Sequence, residues 1–437
     1  MAYYAGITEE AVKMERRVYP AHEKVTLIAE PRGKYYRRFE GNWKVTMVPM
    51  EISERSFMDP VCDSAADGYY DTFLLSAEDG KLVWDYVFKD EEEWAVVLRS
   101  VEDEKLQLTF HVYSLEADLF ARFPYLGDLH THSCFSDGDE EPPLVAANHR
   151  SAGYDFIALT DHHQYSPSVE LAAFIDALPV EFKVFHGEEV HLKPANYMHI
   201  VNFGAKYSVN DLHDQDPEKA AEEVRALIPT LKIPPTLNAY EAAYRVWASE
   251  RIREASGMSI VAHPAWRTRH EYNMRPGMVK WLFENGYYDA WELISGQSVF
   301  ENNIQTALYD DLLAEGVRPP VVASSDCHKS SDPGTYFKFG VTFAFAEELS
   351  AESVIEAVKN HYSAAMETAN GRIYGAFRMV KYALFLKKYY LPRHDALCAE
   401  EGLRLAEYYE TGADPEETFA GTYGRVGEYL RRFMGKE

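Results

Sequence analysis

The sequence predicts an α/β protein with three parts: a small β-sandwich-like domain over residues 1–120, a closed barrel of strands and helices over 121–376, and a helical extension over 377–437. The first part is predicted from short, evenly spaced segments rich in Val, Tyr, Phe, Trp and Thr. The second is predicted from short apolar runs that alternate with helical periodicity, as in βαβ units. The third is predicted from helical patterns that continue to the end of the chain.

Composition and charge indicate a soluble globular protein and weigh against nucleic-acid and membrane partners. The chain has 437 residues, of which 46% are apolar and 26% charged, as expected for a soluble globular protein. Its net charge of −26 repels polyphosphate chains and weighs against a nucleic-acid partner. It has neither a membrane-spanning apolar stretch nor a basic-then-apolar secretory signal, and its four cysteines are scattered. We therefore expect a cytoplasmic protein without membrane contact, and its oligomeric state stays open.

The N-terminal part contains candidate strands but no cluster of ligand-capable or catalytic residues. A packing or oligomerisation domain is the simpler interpretation, because a fold alone does not carry function. The alternative is a module that gates the substrate or binds carbohydrate. The strands are expected at 25–30, 43–49, 71–77, 82–89, 94–101 and 106–114.

The central part has seven apolar runs over roughly 245 residues, which favours a closed barrel over an open sheet. The stretch 205–257 reads as an insertion between two strands, and such insertions often shape a substrate pocket. The runs are 125–129, 156–160, 182–186, 197–203, 258–262, 290–294 and 320–323. The helices between them are expected near 143–152, 167–177, 216–228, 239–256, 276–285, 301–315 and 351–360.

The first of these runs leads into Gly-Asp-Leu-His-Thr-His-Ser-Cys-Phe-Ser-Asp-Gly at residues 127–138. Residues two apart in a strand face the same side, so His130 and His132 point into one space. Two converging imidazoles with Asp137 close behind them form an arrangement typical of a metal site.

Residues that can bind a metal ion also lie in or directly after the other apolar runs. In a parallel barrel the carboxyl ends of the strands meet at one mouth, where catalytic groups collect. Buried His, Asp and Glu are costly unless they are paired or bound to metal, so this recurrence favours a shared site over separately hydrogen-bonded histidines. The residues are His162 and His163, Glu188, Glu189 and His191, His199, His263, Glu292, and Asp326 and His328.

The order His-X-His, Ser-Asp-Gly, Thr-Asp-His, Gly-X-Glu, a lone His, His-Pro and Ser-Asp-X-His resembles the PHP (polymerase and histidinol phosphatase) superfamily over about residues 124–376. The resemblance implies a distorted (β/α)7, TIM-like barrel that holds two or three divalent ions. The N-terminal and C-terminal parts lie outside it. It implies metal-ligand roles for His130, His132, Asp137, His162, Glu189, His199, His263, Asp326 and His328.

The bridging carboxylate is the main ambiguity within this set. Strand alternation places Gly187, Glu189 and His191 on one face, which favours Glu189 over its neighbour Glu188. His191 itself is either a substrate contact or a solvated rim residue, and the same two readings apply to His163.

Two carboxylates are expected outside the ligand set. Asp161 precedes a ligand and should point away from the ions, so we expect it to orient a ligand imidazole and thereby support catalysis. Glu292 is expected either to support a ligand in the same way or to be structural.

Imidazole and carboxylate ligands without a thiolate suit Zn, Mn or Fe(II), which would activate water and bind phosphate oxygens. The predicted function is therefore a metal-dependent phosphoesterase that hydrolyses a small phosphomonoester. Arg267 and Lys329 follow strand ends and are the expected contacts of this small anionic substrate, with Arg269 as a further candidate. The sequence contains no Gly-X-Ser-X-Gly elbow and no P-loop.

Two alternatives stay open. The same ligands fit a metal-dependent hydrolase of carboxylic or carbamic esters, because the metals activate water in both reactions. A non-catalytic metal-binding scaffold is the second alternative. The complete ligand set argues against it, since a scaffold need not keep every ligand.

Overall fold

The computed structural model describes residues 12–32, 39–51, 70–103, 105–192, 198–268, 270–332 and 337–436. The candidate contact Arg269 lies outside these residues. The chain divides into two compact units. The first contains the residues up to Arg122 together with Glu428–Glu437, and the second contains Phe123–Gly427. The second unit thus includes most of the helical segment that follows residue 376.

The first unit has two sheets that share one apolar core. Alternate residues of its strands are buried, so Trp84 and Trp94 face this core while their neighbours face outward. The sheet orders are β1-β3-β6 and β2-β8-β7-β4-β5. The elements are β1 (Val12–Lys13), β2 (Val18–Pro20), β3 (Lys24–Pro31), β4 (Asn42–Pro49), β5 (Asp71–Ser76), β6 (Leu82–Val87), β7 (Glu93–Ser100), β8 (Gln107–Leu115) and helix α1 (Ala117–Phe120).

The second unit is built on two larger sheets with buried strands. The six-stranded sheet has the order β11-β10-β9-β19-β20-β21, the five-stranded sheet has the order β12-β13-β14-β17-β18, and β15 pairs with β16 alone. The strands are β9 (Phe123–Thr131), β10 (Phe156–Leu159), β11 (Lys183–Phe185), β12 (Gly187–Val190), β13 (Ile200–Phe203), β14 (Met258–Val261), β15 (Arg267–Thr268), β16 (Glu271–Tyr272), β17 (Ala290–Ile294), β18 (Val321–Ala323), β19 (Gly340–Ala346), β20 (Ser363–Glu367) and β21 (Ile373–Gly375).

Parallel pairing, which the sequence predicts throughout this unit, holds only in part. Strands β9, β10 and β11 are parallel, as are β14, β17 and β18. In contrast, β12-β13-β14 and β9-β19-β20-β21 pair antiparallel. Connections such as 191–199 and 368–372 are too short for the crossover that parallel strands need. The unit is therefore a mixed α/β fold and not a regular ring of parallel βαβ units.

Two isolated parallel bridges connect the two sheets at strand ends. Thr131 at the end of β9 pairs with Cys327 beyond β18, and His162 beyond β10 pairs with Glu189 in β12. The carboxyl ends of β9, β10 and β18 and the strand β12 therefore meet at one edge, which we call the mouth.

Helices connect the strands of the second unit and continue after its last strand, and the final helix of the chain belongs to the first unit from Glu428 on. Local signals fix several of their starts: Asn238 caps α6, and Ser298 with Glu301 forms a capping box on α8. The helices are α2 (Pro142–Ser151), α3 (Ser166–Asp176), α4 (Val209–Gln215), α5 (Pro217–Leu227), α6 (Ala239–Glu254), α7 (Pro276–Glu284), α8 (Val299–Ala314), α9 (Ala351–Lys359), α10 (Phe377–Tyr389), α11 (Leu391–Thr411), α12 (Pro415–Thr418) and α13 (Arg425–Met434). Within the described ranges, none of them combines the length and apolar content that a bilayer crossing requires.

A buried ionic network ties α11 to α2. The Arg150 guanidinium donates to Glu401 Oε2 at 2.6 Å and to Asp155 Oδ1 at 3.0 Å. His394 Nε2 lies 2.9 Å from the same Asp155 oxygen, and Cys398 Sγ lies 3.4 Å from that nitrogen. Although Asp155, His394 and Cys398 resemble a metal-ligand trio, the Arg150 cation already balances the carboxylate, so we interpret the cluster as structural.

Candidate metal centre

His130 lies at the centre of the mouth, near the end of β9. Its Nδ1 lies 2.9 Å from Glu292 Oε2 on β17, and both side chains are fully buried. Donation of the Nδ1 hydrogen to this carboxylate leaves Nε2 to face Glu189 Oε2 and His132 Nε2, each at 3.1 Å. A carboxylate behind an imidazole, with the other ring nitrogen turned toward further donors, is the usual arrangement behind a metal-ligating histidine.

Glu189 is the common partner of the histidines. It is fully buried on β12, and six imidazole nitrogens lie within 3.5 Å of its two oxygens. Oε2 faces His130 at 3.1 Å, His132 at 3.5 Å and His162 at 3.0 Å. Oε1 faces His199 at 2.5 Å, His191 at 3.5 Å and His263 at 3.5 Å.

The neighbouring carboxylate Glu188 points elsewhere. Its oxygens accept hydrogen bonds from Asn202 Nδ2, Ser208 Oγ, the Val209 backbone N–H and Asn210 Nδ2 at 2.6–3.0 Å. Strand alternation therefore separates the two glutamates as expected, and Glu189 is the one that faces the mouth.

Asp326 completes the inner part of the mouth. Its Oδ1 lies 3.1 Å from His132 Nε2, and its Oδ2 accepts a hydrogen bond from Gln297 Nε2 at 2.9 Å. The backbones of His263 and Asp326 have φ values of +24° and +49°, a left-handed conformation that costs non-glycine residues free energy and recurs at functional sites. We call His130, Glu189, His263 and Asp326 the deep cluster, because their donor atoms lie within 4.8 Å of one another.

A second group of donors lies nearer to solvent. Asp137 is 54% exposed and lies 3.3 Å from His328 Nε2, 3.5 Å from His162 Nε2 and 3.7 Å from His132 Nδ1. We call His132, Asp137, His162 and His328 the rim cluster, since their donor atoms also lie within 4.8 Å of one another. The nine residues that the family resemblance implies as ligands are thus brought together around Glu189 and Asp137.

The loop that carries Asp137 is held by Asp161. The buried Asp161 carboxylate accepts hydrogen bonds from the Ser133 backbone N–H, Ser133 Oγ and Ser136 Oγ, each at 2.7 Å. Ser136 Oγ also lies 3.3 Å from His132 Nδ1. The structure therefore places Asp161 against two serines, and its link to an imidazole runs through Ser136 to His132.

The loop that carries Asp137 packs so closely on the backbone of His132 and Ser133 that only glycine fits at position 138. A Cβ atom on Gly138 would lie 2.9 Å from the backbone of His132 and Ser133. A larger residue there would push the loop away from His132 and move Asp137 out of the rim cluster.

The predicted substrate contacts lie on exposed surface. The Arg267 side chain is 51% exposed, with its guanidinium 4.4 Å from the centre of the Phe300 ring and its Nε 3.8 Å from Glu301. Lys329 is 46% exposed, and its Nζ lies 3.0 Å from Asp139. The half-buried Trp266 ring lies 5.4 Å from the His199 ring and forms a wall of the mouth.

The sequence left His191 and His163 each as a substrate contact or a solvated rim residue, and the structure shows where both lie. His191 is only 8% exposed, and its ring centre lies 4.1 Å from those of both His162 and His199. His163 is half-buried with a φ of +56°, and its ring centre lies 5.4 Å from that of His191. The structure thus places His191 inside the donor cluster and His163 next to it.

Charge and burial shift the pKa values of the deep cluster and of the adjacent His199. Burial opposes a charge on His130, but Asp326 and Glu189 outweigh it and raise the pKa of His130 well above its usual value. Burial likewise opposes a charge on Glu189, yet His199 and His130 hold its pKa well below the usual value. Burial lowers the pKa of His199 to about 4, so this imidazole is neutral near pH 7.

In the rim cluster, burial and neighbouring carboxylates also act in opposite directions on the histidine pKa values. Burial lowers the pKa of His162, but the Glu189 and Asp137 carboxylates prevail and raise it to about 10. Burial also opposes the charged form of His328, but its hydrogen bond to Asp137 raises the pKa to about 9. In the metal-free chain these imidazoles are cations at neutral pH, and protons occupy positions where a metal ion would accept lone pairs.

The donor set fits divalent metal ions. It consists of imidazole nitrogens and carboxylate oxygens without a thiolate, a combination suited to Zn, Mn or Fe(II). His130 Nε2, whose ring is oriented by Glu292, faces three further donor atoms, and a shared cation would satisfy all of them. Gln297, which no sequence motif marks, is the outer partner of Asp326, and Ser136 of the Ser-Asp-Gly motif is the outer partner of His132.

Comparison with known proteins yields structural similarities only. No protein-family model matches the chain, and no curated protein matches it. Among solved structures, a two-domain protein from Bacteroides vulgatus that contains a predicted PHP-like metal-dependent phosphoesterase is similar with 17% identity and a TM-score of 0.39. The match covers 56% of this chain and 66% of that one.

Two further structures are similar over about half of the chain. A proposed metal-dependent phosphoesterase from Bifidobacterium adolescentis has 14% identity and a TM-score of 0.31, and the match covers 53% of this chain and 94% of that one. An amidohydrolase from Chromobacterium violaceum, solved with bound sulfate and no metal, has 19% identity and a TM-score of 0.32 over 47% of this chain and 88% of that one.

Proposed function

We propose that this protein is a divalent-metal-dependent phosphoesterase that hydrolyses a small phosphomonoester. The observation that carries the proposal is the set of six imidazole nitrogens within 3.5 Å of the buried Glu189 carboxylate. A buried cluster of this kind is expensive unless it binds a cation, because lone pairs and like charges otherwise face one another. The ligand roles are those that the family resemblance implies, with Glu189 as the bridging carboxylate.

The two clusters suggest how two or three ions would be distributed. His130, Glu189 and Asp326 of the deep cluster would hold one ion, the rim cluster a second, and Oε1 of Glu189 with His199 and His263 a third, because the single lone pair of His263 Nε2 binds only one ion. We further propose that the two sheets of the second unit close around these ions as a distorted (β/α)7 barrel, which the two bridges between the sheets support.

When bound, divalent ions supply an activated water as nucleophile and offset the negative charge of phosphate oxygens. The chain's own residues hold this arrangement in place. Glu292 orients His130, Gln297 holds Oδ2 of Asp326, and Asp161 fixes the loop of Asp137 through its serines. No side chain is required as a covalent nucleophile.

The substrate is proposed to be small and anionic. Arg267 and Lys329 are exposed cations on segments that directly follow His263 and His328 in the chain. Arg offers two donors to phosphate oxygens and Lys offers a point charge, so both suit a phosphate group better than an acyl ester. For Lys329, binding a phosphate would require exchange of its Asp139 partner.

The test compares two chromogenic esters of the same leaving group, a phosphate monoester and an acetate. The full chain is stripped of metal, reconstituted with Mn or Zn, and assayed beside the metal-free protein and Asp326→Ala. We expect phosphate turnover that needs metal and disappears in Asp326→Ala. Turnover of acetate alone would move the assignment to a carboxylic or carbamic ester hydrolase, and silence on both esters with metal bound would favour a scaffold.

Variants of the two cations test the phosphate preference. Arg267→Ala and Lys329→Ala should each lower kcat/KM for the phosphate ester about 10- to 100-fold, the effect of losing one charged hydrogen bond. Lys24→Ala is a matched control, because Lys24 is also an exposed cation paired with an aspartate, Asp85 at 2.7 Å, but lies in the first unit. Equal rates in all three variants would contradict a role of Arg267 and Lys329 in phosphate binding.

A further inference from the structure

We propose that His191 is a tenth metal ligand, and that with Glu189, His199 and His263 it forms a pocket whose ligands all come from the protein. The family resemblance assigns no role to His191, and the sequence left it as a substrate contact or a rim residue. The inference rests on the metal-binding part of the proposed function. We call the four residues the Oε1 pocket, because the three histidines surround Oε1 of Glu189.

Three of the four distances around Oε1 are close to those between neighbouring ligand atoms of a metal ion. His191 Nε2 lies 3.0 Å from His199 Nδ1 and 3.5 Å from Glu189 Oε1. His263 Nε2 lies 3.5 Å from the same oxygen, and His199 Nδ1 lies 2.5 Å from it. Neighbouring ligand atoms in a tetrahedral zinc site with bonds of about 2.05 Å are separated by roughly 3.3 Å. Three of the four distances differ from this value by only a few tenths of an ångström.

Hydrogen bonding alone does not satisfy this group. His199 Nδ1 carries either one hydrogen or one lone pair, yet it faces the Glu189 carboxylate and His191 Nε2 at the same time. If it donates to Glu189, it has no lone pair with which to accept from His191. If it accepts from His191, its lone pair faces the carboxylate at 2.5 Å. A cation that accepts lone pairs from all three groups removes this conflict.

The backbone of His191 is fixed for this role from outside the pocket. Its N–H donates to Asn210 Oδ1 at 3.0 Å, and Asn210 Nδ2 donates in turn to Glu188 Oε2 at 3.0 Å and to the Glu189 carbonyl at 3.2 Å. Asn210 lies on α4, in the insertion 205–257 that the sequence singled out. The insertion therefore positions a residue of the mouth, and Glu188 acts as its anchor.

With His191 as a ligand, the Oε1 pocket and the rim cluster should differ in how tightly each holds its ion. Metal sites closed by four protein ligands usually hold their ion for structural reasons, whereas sites with three protein ligands leave a position for water or substrate. The Oε1 pocket is buried, whereas the rim cluster includes the exposed Asp137 and His328 at 54% and 39%. The ion in the Oε1 pocket should therefore be the retained one, and the ion at the rim should exchange and meet the substrate.

The experiment compares the wild type with His191→Gln, His191→Ala and His163→Asn. Gln can replace a hydrogen bond from Nε2 but is a poor metal ligand, so it separates a ligand from a residue that merely positions His199. His163→Asn is the matched control, because its ring is adjacent to His191 and Asn tolerates the positive φ. Each full-length protein is loaded with Zn or Co(II) and dialysed against increasing concentrations of a chelator. Elemental analysis gives the metal per chain, and the visible ligand-field band of Co(II) reports its coordination.

We expect the wild type and His163→Asn to retain one ion under chelation that strips the others. Both His191 variants should lose that ion, with an affinity loss larger than the 10- to 100-fold expected for an outer hydrogen-bond partner, and their Co(II) spectrum should change. Wild-type retention, affinity and spectrum in His191→Gln would overturn the inference and leave the proposed function intact. A wild type that binds no metal would overturn both. Circular dichroism checks the fold of each variant, and His191→Gln keeps the test valid if His191→Ala unfolds.

Discussion

Nδ1 of His130 lies 2.9 Å from Oε2 of Glu292, and both side chains are completely buried. The contact joins the end of β9 to β17 and fixes which ring nitrogen of His130 faces Glu189. A carboxylate behind a ligand imidazole increases its basicity and sets its orientation. We therefore expect the proposed metal binding of the deep cluster to depend on Glu292, which contacts His130 at Nδ1 while Nε2 faces Glu189.

Replacing Glu292 tests this dependence. Glu292→Gln keeps the shape of the side chain but removes its charge, so we expect metal affinity and phosphate turnover to fall about 10- to 100-fold. Chelator competition measures the affinity, and circular dichroism checks that the fold is kept. Unchanged affinity in a folded variant would mean that the contact does not support a metal ligand.

Metal binding should release protons near pH 8. With pKa values of about 10 for His162 and about 9 for His328, both imidazoles are protonated there in the metal-free chain. A ligand needs a free lone pair, so about two protons leave when the rim cluster binds an ion, and the apparent affinity rises with pH until both groups have titrated. Calorimetric titration in buffers with different ionisation enthalpies counts these protons. Metal binding at pH 8 without proton release would contradict the assignment of these two ligands.

Asp161→Asn should loosen the loop that carries Asp137. The carboxylate accepts hydrogen bonds from Ser133 and Ser136, and an amide replaces one acceptor oxygen with a donor. We expect a loss of about 1–3 kcal/mol in the free energy of unfolding, together with lower metal occupancy of the rim cluster. Urea unfolding and elemental analysis measure the two effects. Asp176→Asn, at an exposed carboxylate paired with Lys183, should leave both unchanged.

The network around Arg150 should matter for stability alone. Glu401→Gln removes one of the two carboxylate partners of a buried guanidinium, and breaking a buried pair in this way costs about 3–5 kcal/mol. The exposed pair of Arg404 and Glu407 provides a matched control, since Glu407→Gln should change stability by less than about 1 kcal/mol. Urea unfolding compares the two variants. Equal stabilities would show that the Arg150 network is not coupled to folding, and metal content should be unchanged in both.

Much of the site was predictable, because its residues follow short apolar runs. His130 and His132 alternate at a strand end, and the pairing of β9, β10 and β18 at one edge brings them to His162 and Asp326. Strand alternation favoured Glu189 over Glu188 without settling the choice, and the structure turns Glu188 to Asn202, Ser208 and α4 instead. The six candidate strands of the first unit also lie within two residues of those observed.

Other features depend on contacts that no local pattern encodes. Gln297 lies in a turn after β17, and only the fold brings its amide to Asp326. Strand β19 pairs antiparallel with β9 and lies outside the seven predicted runs, so the alternation of strands and helices did not reveal it. Asp161 points to Ser133 and Ser136 because the loop 132–138 turns back on itself, and Gly138 was the available signal for that turn.

The most direct test of the account is a crystal structure of the Mn- or Zn-loaded protein with anomalous scattering data collected at the metal absorption edge. We expect anomalous peaks between the donors of the deep cluster and between those of the rim cluster, with Glu189 bound to more than one ion. A fully loaded crystal with no peak at Glu189, or with metal only elsewhere on the chain, would contradict it.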